Sequence, residues 1–174
     1  MPSMTPSQTR EMRWEYPAED GQPFVLREGQ RELGRLLFRE EPEPSLAQFE
    51  SERWKFHYSI RPRPHVKIWT EESCEFVAEY VPALTGGGMV TFASGARFRW
   101  KKSELLGSRW CFRSLDEDSS VCVAQSAACL TEGGKVSICC GAANRKETPL
   151  LLMLAWFLRV LDFEVLVEGM FRIG

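Results

Sequence analysis

The segment ETPLLLMLAWFLRVLDF, residues 147–163, constrains this chain more than any other. From Pro149 to Leu158, ten consecutive residues carry no polar side chain. Thr148 followed by Pro149 is a helix start: a capping hydroxyl, then a proline in the first turn, where a missing N–H is no loss. The helix expected over 149–161 has thirteen residues, roughly 20 Å at 1.5 Å each. A membrane span needs about twenty apolar residues, so this helix falls short, and Arg159 interrupts it further. A surface helix shows a polar stripe, and this one shows none. It must be buried on every side, and the remaining residues must supply the container.

They read as short strands. In RWKFHYSIR (53–61) Trp54, Phe56, Tyr58 and Ile60 share one face, and Arg53, Lys55, His57, Ser59 and Arg61 the other. That is the period of a half-buried strand. FRWK (98–101) and SRWCFRS (108–114) alternate in the same way. Further strands are expected at Met12–Tyr16, Phe24–Glu28, Leu33–Arg39, His65–Trp69, Glu75–Val81, Met89–Ala93, Val121–Gln125, Lys135–Cys139 and Phe163–Val167. Turn residues separate most of them, as in AEDGQP (18–23), TGGG (85–88), ASG (93–95), DEDSS (116–120) and EGG (132–134). The proline-rich EPEPS (41–45) and RPRP (61–64) cannot continue a ladder, because proline has no N–H to donate.

About a dozen evenly spaced strands indicate an antiparallel barrel or sandwich. An eight-stranded barrel is just filled by its own side chains, whereas a twelve-stranded one has a lumen. A helix about 10 Å across and apolar all round fits that lumen. The expected fold is therefore mainly β: a closed antiparallel barrel of about twelve strands around a central hydrophobic C-terminal helix. Residues 11–174 form one domain, and residues 1–10 a frayed tail with no apolar run to serve as a signal peptide. Six cysteines without a C-x-x-C pair read as reduced thiols, which implies a cytoplasmic protein, if need be peripheral at a membrane. Cys139 and Cys140 point to opposite faces of a strand and do not share a metal.

Strands around one all-apolar C-terminal helix resemble the tubby C-terminal-like group, which includes the phospholipid scramblases and the LURP-one-related proteins. The resemblance covers roughly residues 12–168. It is carried by the strand succession, by FRWKKSELLGSRWCF as a middle hairpin, and above all by TPLLLMLAWFLRVL. It implies a lipid-headgroup binder, a membrane-tethered regulator or a lipid-handling protein. The scramblase pattern differs in having a cysteine-rich segment before the barrel and a second apolar helix after it. No metal-binding motif carries over, so scramblase activity is not expected.

No catalytic, cofactor or metal site is expected. A nucleophile elbow, a zinc helix and a phosphate loop are all missing from the sequence. LTGGGMV lacks the Lys-Ser/Thr of a phosphate loop and reads as a hairpin turn. Neither His57 nor His65 has a ligand-spaced cysteine or carboxylate. Asp116 and Asp118 lack the loop length and distal glutamate of a calcium site and read as a solvated turn. Arg159 is expected near the helix C-terminus, where a cation is favoured and can reach water at the barrel mouth. The alternative is a buried acidic partner for it.

Charge carries the functional expectation. The whole chain has a formal charge of −2, yet residues 53–113 hold eleven Lys/Arg against five Asp/Glu. If 96–102 and 108–114 pair, Arg97, Arg99, Lys101, Arg109 and Arg113 share one outer face. Lying side by side, such cations repel by up to about 1 kcal/mol per pair. Glu75, Glu79 and the acidic N-terminal segment could neutralise them. Left exposed, they form an anion-binding face for lipid headgroups or for a phosphorylated or acidic partner, at about 1 kcal/mol per residue on an anionic membrane. Nucleic acid is not expected, because the aromatics alternate inward and cannot stack on bases. Two further readings stay open: an unrecognised enzyme with a site at the barrel mouth, for which a helix-filled lumen leaves little room, and a purely structural or protein-interaction domain.

Overall fold

The computed structural model describes residues 10–103, 108–126, 132–139 and 141–171, with side chains as far as Asp162. Twelve strands run in sequence order: β1 (Arg10–Glu15), β2 (Phe24–Glu28), β3 (Arg31–Leu37), β4 (Ser45–Phe49), β5 (Glu52–Ser59), β6 (His65–Thr70), β7 (Phe76–Pro82), β8 (Gly88–Phe92), β9 (Arg97–Lys102), β10 (Arg109–Ser114), β11 (Ser120–Ser126) and β12 (Gly134–Ile138). Each pairs antiparallel with its neighbours in sequence, and β1 pairs with β12 to close the barrel. One helix, α1 (Thr148–Phe171), follows.

The expected architecture holds, and the lumen is filled as the helix composition requires. Every residue from Leu150 to Leu158 is at most 3% exposed. Inward strand positions meet them: Trp14 stacks on Trp156 with ring centroids 5.5 Å apart, and Phe56 meets Phe157 edge-on at 5.2 Å. The helix has closest backbone approaches to β3, β4, β10 and β11, and small inward residues make this possible. Gly34 on β3 leaves space that Met153 approaches, Ala47 lies on β4 and Ala124 on β11.

Four assignments differ from the sequence reading. Strand β4 lies where none was expected, because two of its three inward residues, Ser45 and Ala47, are small and leave Phe49 with no aromatic to alternate with. The buried Ser45 hydroxyl is satisfied by the backbone of Arg39, accepting from its N–H at 2.9 Å and lying 3.2 Å from its carbonyl. Phe163–Val167 is not a strand: the helix runs past 161 to Phe171, since adding a residue to an existing helix is easy and no breaker precedes Gly169. The cap also shifts by one residue. The Glu147 carbonyl accepts the first helical bond, from Leu151 N–H at 3.0 Å. The Thr148 hydroxyl instead donates to the Ala142 carbonyl at 2.6 Å, tying the helix start to the loop before it. Arg10, assigned to the tail by sequence, opens β1 and donates two hydrogen bonds to Glu28.

Candidate functional site

Strand β9 is where the charge pattern becomes geometry. Phe98 and Trp100 are buried inward, so alternation turns Arg97, Arg99 and Lys101 outward. Arg97 and Arg99 are exposed and Lys101 is half-buried. In the register with β10, Arg99 lies opposite Arg113 and Lys101 opposite Cys111. Arg109 opens β10 on the same outer face. All five residues expected to share a face therefore do so, but they are not equivalent. Arg113 is tied to Asp118, 3.1 Å from its carboxylate and 2.7 Å from its carbonyl oxygen. Its charge is matched within the β10–β11 turn.

Glu79 and the acidic N-terminal segment lie away from this face. On the other flank of β9, Arg97 is opposite Thr91 and Arg99 opposite Met89. Glu79 lies one strand further away, on β7, in register with Lys67 and Thr91. Two strand spacings put it about 10 Å from β9, which is about a Debye length at physiological salt. The acidic N-terminal segment forms β1–β4 on another sector of the barrel. There its carboxylates pair locally: Glu28 with Arg10, Glu15 with Arg27, Glu50 with Arg31 and Glu11 with Lys135. The Arg10 guanidinium holds the Glu28 carboxyl below the usual carboxylate range. Among the described residues, no ion pair forms at Arg97, Arg99 or Lys101.

The two histidines sit in different settings. His57 packs edge-on against Trp69 at 4.9 Å, and burial, with Lys55 beside it, pushes its pKa down. His65 Nδ1 lies 2.8 Å from the Arg63 carbonyl. No cluster of three metal-ligating side chains occurs among the described residues. The glycines of LTGGGMV form the β7–β8 turn, with Gly86 and Gly87 at φ +90° and +71°. Cys74, Cys111, Cys122 and Cys139 are free thiols, while Cys129 and Cys140 lie outside the described residues.

Arg159 departs from expectation. It is twelve residues from the helix end, so the helix C-terminus does not hold it. Its guanidinium is buried, donating to Asp162 Oδ2 at 3.1 Å and to Ser126 Oγ at 3.0 Å, and lies 5.5 Å over the Trp110 ring. The lumen also keeps more room than a helix-filled barrel was expected to leave. A cavity of about 750 Å³ opens beside Arg159 at the mouth where α1 emerges. Sequence reading missed it, although the alternation that sends Phe98 and Trp100 inward also sends Lys102 inward.

These features define a class: a closed, helix-filled β-barrel with a strand on its outer wall whose cations form no ion pair among the described residues. Comparison of the chain with protein-family models, with curated proteins and with solved structures gives no significant match. No helix among the described residues is long and apolar enough to cross a membrane.

Proposed function

We propose that this barrel is a non-catalytic binding module that docks peripherally on an anionic membrane surface through the outer face of β9. The observation that carries the reading is the exposure of Arg97 and Arg99, with Lys101 beside them, next to strands that offer them no carboxylate. Alternation spaces these three cations along a convex wall at about 7 Å intervals. At about 1 kcal/mol each near anionic lipid, they supply roughly 3 kcal/mol, about a hundredfold preference over neutral lipid. The tubby-like reading and a cytoplasmic location belong to the same proposal, and the barrel-around-helix layout is what supports the former.

The test is co-sedimentation with vesicles containing phosphatidylserine or phosphoinositide against vesicles of phosphatidylcholine alone. The parent protein binds the anionic vesicles, and binding weakens as salt rises. The double variant Arg97→Glu with Arg99→Glu loses binding while its thermal midpoint stays put. Failure of the parent to bind, or binding that survives the double reversal, overturns the proposal. Retention on a polyaspartate matrix without vesicle binding assigns the face to an acidic protein partner instead.

A further inference from the structure

The cavity at the helix-exit mouth follows from how α1 sits in the barrel. The helix approaches β3, β4, β10 and β11 most closely, so the wider sector from β5 to β9 must be filled by side chains alone. Low in the barrel they suffice, with Phe56, Ile68 and Phe98 fully buried. Near the mouth they do not. Gly87 and Gly88 supply no side chain there, and the Tyr80 ring takes the place that a Cβ at Gly88 would occupy, 2.6 Å from that position. The result is a cup with Tyr58, Tyr80, Trp100 and Trp110 among its walls. Its volume of about 750 Å³ falls within the range of small-molecule sites.

We propose that this cup binds a small organic anion with a flat apolar body, such as an aryl carboxylate or sulfonate, its charge set between Lys102 and Arg159. The walls argue for the body. Trp110 stacks on Trp100 at 5.5 Å and 17°, giving a flat, rigid surface, and Val66, Leu158 and Leu161 add apolar wall. The charges argue for the anion. Among the described residues, Arg159, Lys102 and His65 line the cup with one carboxylate, Asp162, which Arg159 already engages. Lys102 forms no ion pair among the described residues, so the cup carries a positive excess. Arg159 is held by Ser126, Asp162 and the Trp110 face, and a fixed guanidinium needs little reordering when an anion arrives. Burial and the nearby Asp162 carboxylate push the Tyr80 phenol up, so its hydroxyl stays protonated and available as a donor. This site is on the inner surface and is independent of the β9 outer face.

The probe is 1-anilinonaphthalene-8-sulfonate, followed by its own fluorescence and by quenching of the tryptophans. Its uncharged parent, N-phenyl-1-naphthylamine, is the reference. One saturable site is expected, at least tenfold tighter for the sulfonate. Lys102→Glu should remove that tenfold preference with the thermal midpoint unchanged, and Ala83→Trp at the rim should weaken both probes. Arg97→Glu with Arg99→Glu should leave both unchanged, which separates this site from the outer face. Absence of saturable binding, equal affinity for the two probes, or indifference to both Lys102→Glu and Ala83→Trp overturns the proposal.

Discussion

Gly134→Ala tests the seating of the helix directly. Gly134 is the inward-facing first residue of β12, paired with Trp14 on β1 and Ser126 on β11. Its φ is not in the left-handed region, so on backbone grounds alone alanine should stabilise the strand by about 0.5–1 kcal/mol. The lumen forbids it. A Cβ there would stand 2.4 Å from Trp156 Cζ3, 2.7 Å from Cη2 and 2.8 Å from the Gln125 carbonyl oxygen. Ordinary contact begins at 3.4 Å, so the indole must retreat by about 1 Å. Trp14 is stacked on it at an interplanar angle of 9°, and Phe24 abuts it at 5.9 Å, so the ring has nowhere to go. Overpacking of this kind costs about 1–3 kcal/mol. The net expectation is a loss of about 1–2 kcal/mol, or roughly 2–8 °C in a chain of this size. Urea and thermal unfolding followed by near-ultraviolet circular dichroism measure it. The companion variant Trp156→Phe removes the two closest clashing atoms and leaves only the Gln125 carbonyl oxygen. It strands no partner, because the indole N–H of Trp156 has no acceptor. Gly134→Ala should therefore cost much less in that background, a coupling that a double-mutant cycle reads out. Gly134→Ala at or above parental stability, or zero coupling to Trp156→Phe, would falsify the seating described.

Two further outcomes follow from the titratable groups. Burial lowers the His57 pKa in the fold, while the unfolded chain takes up its proton at about pH 6.5. Stability should fall as pH drops from about 6.5 to the folded value and level off below it; His57→Gln should flatten that part of the parent curve, and identical curves would contradict the assignment. Burial raises the Cys122 thiol pKa in the lumen, whereas Cys74 is exposed. Iodoacetamide at pH 8 should label Cys74 in the native protein and Cys122 only in denaturant, as read by peptide mass mapping. Equal rates would mean that the lumen is open.

The legible strands are those whose inward positions carry bulk. Trp54 and Phe56 mark β5, and Phe98 and Trp100 mark β9. Strand β4 was hidden for the converse reason: the helix passes close, so Ser45 and Ala47 must be small, and small residues leave no periodic signal. The fit of the helix and the obscurity of β4 have the same cause. The error at Phe163–Val167 is of another kind. Its alternation is compatible with a strand, but the preceding helix offers each new residue a hydrogen bond, and nothing in the segment refuses it.

The two candidate sites divide along the same line. The β9 face was legible because it depends only on the two-residue period of one strand and its register with the next. The cup depends on where atoms are missing, between a helix seated to one side and strands several positions away, and no local pattern encodes an absence. Its one sequence mark is the pair Lys101–Lys102. The pleat sends these neighbours to opposite surfaces, Lys101 to the outer wall and Lys102 to the mouth. Read as composition they are one basic run; read with the phase set by Phe98 and Trp100 they belong to different sites. In a barrel the phase of a strand therefore assigns function as well as burial, since a shift of one residue would exchange the two lysines along with the core.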